Sequence, residues 1–353
     1  MFEIFLPVVQ IHVNYIYILL ISASIGIVGG IIGIGGGFLM TPVLIFLGIP
    51  PSYAIANGSN NILASSVSGT LNSWYKKELD LKMGYFILIG AFLGVTFGTL
   101  VFKILIRIGI IDEITAVLFF LLLTSFGGLM LTESIIEIYK RKEKKIILKK
   151  RNKHSWIHAL PFKVRMPTSR LYTSVIPPIF FGFLAGIISA LLGVGGAFLL
   201  IPAMIYIIRV PIKVVRGTSL LVVVFTMTFA TFFHSIANRN IDLILIILLM
   251  TGSVIGVQIG TRISNKLRNE ELKFLMSILI IMFGLKFGKS LFLGEKKIRF
   301  LRKIEIDNQF VALNKFITNF LYQHKIIYSM TAIGLALLFG FLGSFLFRKI
   351  NKK

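Results

Sequence analysis

Cysteine is absent from this chain of 353 residues. That excludes disulfides, thiolate metal sites and a cysteine nucleophile together. Charge is scarce as well. Only 15% of residues are charged, against the quarter or so usual in a soluble domain, while 56% are hydrophobic and the mean hydropathy is +0.87. No Asp, Glu, Lys or Arg stands between Ile4 and Tyr75. A soluble fold cannot hide so long an uncharged run, whereas a bilayer needs only about 20 apolar residues per helix. An ordinary cytosolic enzyme, a disordered chain and a fibrous one are excluded. The N-terminus also has no Lys or Arg before Lys76, so the basic start of a cleaved signal peptide is not expected.

Acidic residues are the rarer charge, 14 against 38 Lys and Arg, for a net charge of +24. In a soluble protein that balance would suggest nucleic acid. Here the cations lie in gaps between apolar runs, which fits cytoplasmic loops facing anionic lipid and not a nucleic-acid surface.

The apolar segments fall at 14–34, 37–48, 58–75, 84–106 and 114–138, then 175–195, 197–208, 216–236, 241–263, 270–293 and 326–347. The expected fold is therefore an all-α integral membrane protein of 10–11 transmembrane segments. It divides into a first transmembrane repeat (1–138), a basic cytoplasmic linker (139–173), a second transmembrane repeat (174–293), and a polar connector with a C-terminal transmembrane helix (294–353).

The halves repeat. Gly33-Ile-Gly35-Gly36-Gly37-Phe38-Leu39-Met40-Thr41-Pro42 returns 160 residues later as Gly193-Val-Gly195-Gly196-Ala197-Phe198-Leu199-Leu200-Ile201-Pro202. Asp80, Gly90, Gly94, Gly98 and Thr99 return as Asp242, Gly252, Gly256, Gly260 and Thr261 at a shift of 162. The register between these blocks stays open: Thr218 pairs with Asn57 or with Gly58. Five crossings per copy would insert the second copy upside down, giving inverted repeats. Placing 140–170 in the cytoplasm then puts most basic loops inside. If 37–48 and 197–208 dip in and return, each copy crosses four times and the halves are parallel. Inversion is favoured, although it leaves the basic 294–325 connector outside.

Each glycine triplet sits between apolar runs without the strand and polar context of a phosphate loop. Consecutive glycines break a helix. A break at membrane depth is tolerated around a protein-lined cavity, where the next helix turns its free N–H groups and positive dipole end inward. The helix after each break is expected to be short, with Pro42 and Pro202 in its first turn. Close packing of helices through glycine is the competing reading. The ladders Gly90/Gly94/Gly98 and Gly252/Gly256/Gly260 are read as helix-packing faces. A polar cluster follows each short helix: Asn57, Gly58, Ser59, Asn60 and Asn61 in the first copy, Thr218 and Ser219 in the second. Its amides and hydroxyls can donate to an oxyanion, or can cap helices and join neighbours. Gly35, Gly36, Gly37, Asn57, Ser59, Asn60, Asn61, Gly195, Gly196, Thr218 and Ser219 are thus the candidate substrate-binding set, with Pro42, Pro202, Gly94 and Gly256 as structural residues. His234 is read as a solvated helix end in preference to a proton carrier. The five histidines show no metal spacing. No cofactor motif and no nucleophile–base constellation appears, which speaks against an enzyme.

The repeated Gly-x-Gly-Gly-Gly-Phe-x-x-x-Pro motif, with Pro51…Asn57-Gly58 in one half and Pro211…Arg216-Gly217-Thr218-Ser219 in the other, resembles the sulfite exporter TauE/SafE family. The second half keeps the family's Thr-Ser; the first departs from it with Asn57-Gly58. The resemblance covers roughly residues 14–293, and the extra C-terminal helix is unusual for the family. It implies a transporter of sulfite, a sulfonate or a related small anion across the bacterial inner membrane, with outward movement driven by protons. No nucleotide-binding module is visible, so the energy is expected from an ion gradient. A glycine-packed membrane scaffold and a passive anion channel are the rival readings. Oligomeric state is left open.

Overall fold

The computed structural model describes residues 3–9, 11–32, 39–142, 161–169, 171–238, 240–264, 269–292 and 323–351. It is an all-α membrane protein. Eleven described helices coincide with the eleven apolar segments: α1 (Tyr15–Ile32), α2 (Met40–Phe46), α3 (Pro51–Tyr75), α4 (Leu81–Ile108), α5 (Ile111–Lys142), α6 (Ile176–Leu192), α7 (Ala197–Pro202), α8 (Ile212–Asn238), α9 (Leu243–Ser264), α10 (Asn269–Phe292) and α11 (Lys325–Asn351). Among the described residues, five stretches are long and apolar enough to cross a bilayer: Leu81–Ile108, Ile111–Tyr139, Val214–Ile236, Leu243–Gly260 and Lys325–Phe345. Their outer faces carry exposed apolar side chains, such as Phe92, Phe97 and Leu100 on α4 and Phe341 and Phe345 on α11. Such a surface suits hydrocarbon and would be an aggregation hazard in water.

Local signals mark the ends. Pro51 opens α3, where its missing N–H is no loss. Asp80 caps α4 by accepting from the Met83 N–H at 3.1 Å. Gly109, in a left-handed conformation, ends it.

Two β-hairpins were not expected from the sequence. The first pairs β1 (Glu3–Leu6) with β2 (Ile11–Asn14), the second β3 (Lys163–Met166) with β4 (Leu171–Ser174). The second lies within the stretch read as linker. The hairpins are equivalent at a shift of 160, Leu6-Pro7 answering Met166-Pro167 and Asn14 answering Ser174. Each leads into a helix through the same contact: Asn14 Oδ1 accepts from the Ile16 N–H and Ser174 Oγ from the Ile176 N–H.

Helices of one half pack on helices of the other, and they do so reciprocally. α1 lies on α9 and α4 on α6. Gly90, Gly94 and Gly98 meet the carbonyl oxygens of Ile179, Phe183 and Ile187. Gly252, Gly256 and Gly260 meet those of Leu19, Ala23 and Ile27, the same three positions 160 residues earlier. In both pairs the contacts advance together, so each pair is parallel. A Cβ on Gly94 or Gly256 would overlap a backbone oxygen. Only glycine lets these backbones come so close.

The helices that the repeat equates run the opposite way. Along α3 and α8, Asn57 meets Asn240 just past the end of α8, Gly69 meets Leu220 and Ser73 meets Gly217. Along α5 and α10, Gly127 meets Ile281, Thr124 meets Gly284 and Phe120 meets Gly288. Both pairs are antiparallel.

Candidate functional site

The described break lies between α6 and α7. Gly193 ends α6 with φ +63°, and Gly195 and Gly196 follow at +82° and +64°. Three left-handed residues within four positions cannot continue a helix, and side chains rarely adopt that backbone. Gly196 is the N-cap of α7 and makes no side-chain cap hydrogen bond to its first N–H groups. The equivalent Gly35, Gly36 and Gly37 lie outside the described residues.

The break is wedged against the middle of the antiparallel α3/α8 pair. A Cβ on Gly193 would meet the Ile55 carbonyl and Ser59 Oγ; one on Gly195 would meet Val223 and Ile62; one on Gly196 would meet Ala185 and Ser189 Oγ. Thr41 of α2 donates from Oγ1 to the Gly193 carbonyl at 3.2 Å. Its hydroxyl also abuts Gly58, so the short α2 folds back along α3. The described break thus touches elements of both halves.

Pro42 falls in the first turn of α2. Pro202 does not fall in the first turn of α7, because α7 begins at Ala197 and Pro202 is its last residue. A proline there has no N–H to bond back one turn. The chain continues as a π-helical turn, Ala203–Ile208, in place of regular helix.

The polar candidates divide into two groups. The first serves the backbone. Asn57 donates to the carbonyls of Tyr53 (2.8 Å) and Asn240 (3.1 Å) and accepts from the Asp242 N–H (2.9 Å). Thr218 Oγ1 accepts from the Asp80 N–H at 3.0 Å. Each residue holds the aspartate that opens the other half's helix, so Thr218 answers Asn57 and not Gly58. The shift at this point is 161. Ser59 and Ser219 donate to the carbonyls of Ile55 and Arg216 on their own helices.

The second group keeps unpaired capacity in the interior. Asn60 donates to the Ala332 carbonyl of α11 at 3.3 Å, yet its Oδ1 has no partner. Asn61 accepts from Ser253 Oγ of α9, yet its Nδ2 has none. The hydroxyls of Ser66 and Ser189 are also buried and unpartnered. Sequence reasoning did not single out Ser189. Its signal was its place one turn before the second glycine break.

His234 was expected at a solvated helix end. It is instead fully buried, with Nε2 2.9 Å from the Ala190 carbonyl and the ring edge-on to Phe102. Both partners are remote in sequence, so the position on α8 alone could not reveal them. Lys286 is exposed, its ammonium 4.4 Å from the centre of the Phe46 ring.

Two buried carboxylates hold the hairpin tips. Asp80 Oδ2 accepts from the Ser169 N–H at 2.9 Å and its hydroxyl at 2.6 Å. Asp242 Oδ2 accepts from the N–H groups of Val8 (2.9 Å) and Val9 (3.4 Å).

Comparison with known proteins agrees with this architecture. The profile of the family described as sulfite exporter TauE/SafE matches residues 18–287. The chain is 25% identical to the probable membrane transporter protein YunE of Bacillus subtilis over 279 residues, covering 77% of this chain and 96% of that protein. It is 26% identical to the probable membrane transporter protein YjnA of the same organism, covering 76% and 98%. A shorter stretch of 121 residues is 29% identical to the sulfite exporter TauE/SafE family protein 3 of Arabidopsis thaliana, covering 33% and 25%. No solved structure matches the chain significantly. With its helical architecture and a profile match across most of its length, the chain is a multi-pass membrane transporter that belongs to the sulfite exporter TauE/SafE family.

Proposed function

We propose that the protein is a secondary transporter of a small sulfur oxyanion, sulfite or an organosulfonate, working as an exporter coupled to a proton gradient. Family membership supports the substrate class. The observation that carries the reading is the break at Gly193–Gly196, set against both α3 and α8 and beside buried polar groups with unused capacity. Irregular backbone inside a membrane is stable only where protein or a cavity surrounds it. In transporters such breaks lie at the substrate site.

The chemistry is recognition without a full cation. Backbone N–H groups after the break and neutral donors such as Asn61, Ser66 and Ser189 would share the anion's charge. Each neutral contact is worth about 0.5–1.5 kcal/mol net. Several of them select an oxyanion yet let it leave, as a carrier requires.

The halves form two inverted repeats in this reading. Antiparallel α3/α8 and α5/α10 support it, as does the exchange of α1 and α4 between halves. Transport follows from rocking one repeat against the other around the breaks. A scaffold whose glycines only pack helices is favoured by the structural duties of Asn57 and Thr218. Uptake of radiolabelled sulfite into proteoliposomes, with and without a pH gradient, separates the two readings. A carrier gives saturable flux that responds to the gradient, and a scaffold gives none under either condition.

A further inference from the structure

The reciprocity of the two halves makes their departures from it informative. At the α3–α9 contact, Asn61 accepts from Ser253. Ser22 of α1 lies close by, its hydroxyl against Gly252 and directed to the Leu19 carbonyl. All three side chains are fully buried. The equivalent positions in the other half are Val222 on α8, Ala91 on α4 and Gly182 on α6. The same packing is therefore achieved there with no polar side chain. The architecture does not require a hydrogen bond at this contact, yet one half has one.

The Asn61 amide is also only half used. Ser253 Oγ contacts its oxygen and also lies 3.3 Å from the Met250 carbonyl, while Nδ2, with two N–H donors, is buried and unpartnered. A tie between helices would be complete with both ends paired. A buried donor left open in apolar surroundings is costly unless an acceptor arrives. The next residue, Ile62, lies against Gly195 of the described break. Asn61 thus stands beside the interrupted helix while facing α9 and α1.

Resting on the anion-transport reading above, we infer that Asn61 Nδ2 donates to an oxygen of the transported oxyanion, that Ser253 is its positioning residue, and that the anion binds to one side of the approximate two-fold relation, on the α1/α3/α9 side. The mirror position, lined by Val222 and Ala91, offers no side-chain donor. The half-sites are unequal, and the solute meets a different surface from each side of the membrane.

The test is sulfite flux and its KM in proteoliposomes. Asn61→Asp keeps the oxygen that Ser253 needs and removes only the amide donor while adding an anion. Sulfite flux is expected to vanish with membrane insertion kept. Asn61→Leu is expected to raise KM at least tenfold. Ser253→Ala is expected to raise KM a few-fold at unchanged kcat, since it only loosens the amide's orientation. In the Asn61→Leu background, Val222→Asn with Ala91→Ser is expected not to restore flux. Unchanged KM in folded Asn61→Asp and Asn61→Leu proteins overturns the inference, and rescue by the mirror pair overturns its one-sided placement. If the wild-type protein moves neither sulfite nor a sulfonate, the transport reading itself falls, and the inference with it.

Discussion

Ser169 reaches across the molecule to Asp80 with both its backbone N–H, at 2.9 Å, and its hydroxyl, at 2.6 Å. The relationship is repeated by Asp242 and the N–H groups of Val8 and Val9. In each case a hairpin tip from one half is held by the carboxylate that opens a helix in the other. Two hairpins that would be marginal alone are thereby fastened at buried points.

Ser169 is therefore expected to matter for stability. Val9, its counterpart, holds Asp242 by the backbone alone. Ser169→Ala removes one bond to a charged acceptor and should cost about 1.5–3 kcal/mol. Thermal unfolding in detergent checks this. An unfolding temperature equal to that of the wild type would remove the latch from the account.

The glycine ladders predict matched failures. Gly94→Val and Gly256→Val each force a side chain onto a backbone oxygen of the partner helix. Each should cost about 1–3 kcal/mol or more, as overpacking does. Because the contacts are reciprocal, the two variants should lose folded yield to a similar degree in size-exclusion profiles. A large loss in one and none in the other would show that the two interfaces are not equivalent.

The break predicts a different kind of loss. Gly195→Leu puts a side chain at φ +82° and against Ile62 and Val223. The left-handed conformation alone costs about 1–2 kcal/mol. Flux should be abolished while membrane insertion, read by fractionation, persists. Flux at the wild-type rate would place the solute elsewhere.

The C-terminal helix α11 lies beyond the family match, which ends at residue 287. It is tied to the rest of the protein by Asn60 to the Ala332 carbonyl, Gln258 to the Gly343 carbonyl at 2.9 Å, and Tyr328 to the Ile241 carbonyl at 3.1 Å. Gly340→Leu, which would drive a side chain into the Ala64 carbonyl and Val67, should detach it. Faster proteolysis near residue 325 would register that release. A digestion pattern like that of the wild type would mean that α11 docks through other contacts.

How much of this was legible in the sequence follows from the physics of each signal. Helices in a bilayer announce themselves by hydropathy, which is local, and all eleven apolar segments are helices. The hairpins carried no such signal. Residues 3–14 are too apolar to stand out from α1, and 163–174 sit in a basic stretch. The clue was the repeat, because Leu6-Pro7 and Asn14 recur as Met166-Pro167 and Ser174. The register at Asn57 needed the Asp242 and Asp80 contacts, which join residues more than a hundred positions apart. Separation in sequence also hid the Ala190 partner of His234, 44 positions away, and the pairing of Asn61 with Ser253, 192 positions apart. Polar side chains in a membrane mark a place in sequence. Whether they tie helices or await a ligand depends on neighbours that only the fold supplies.

The direction of the two halves can be checked chemically, because the chain has no native cysteine. Single cysteines at 140–170 and 294–325 should label from opposite faces if the repeats are inverted. Labelling of both from one face would favour parallel halves.

The most direct test of the whole account is radiolabelled sulfite flux through the purified protein in proteoliposomes, with and without an imposed pH gradient. The account predicts saturable flux that the gradient accelerates and that Gly195→Leu abolishes. Sulfite and sulfonate flux no greater than in protein-free vesicles, under either condition, would contradict it.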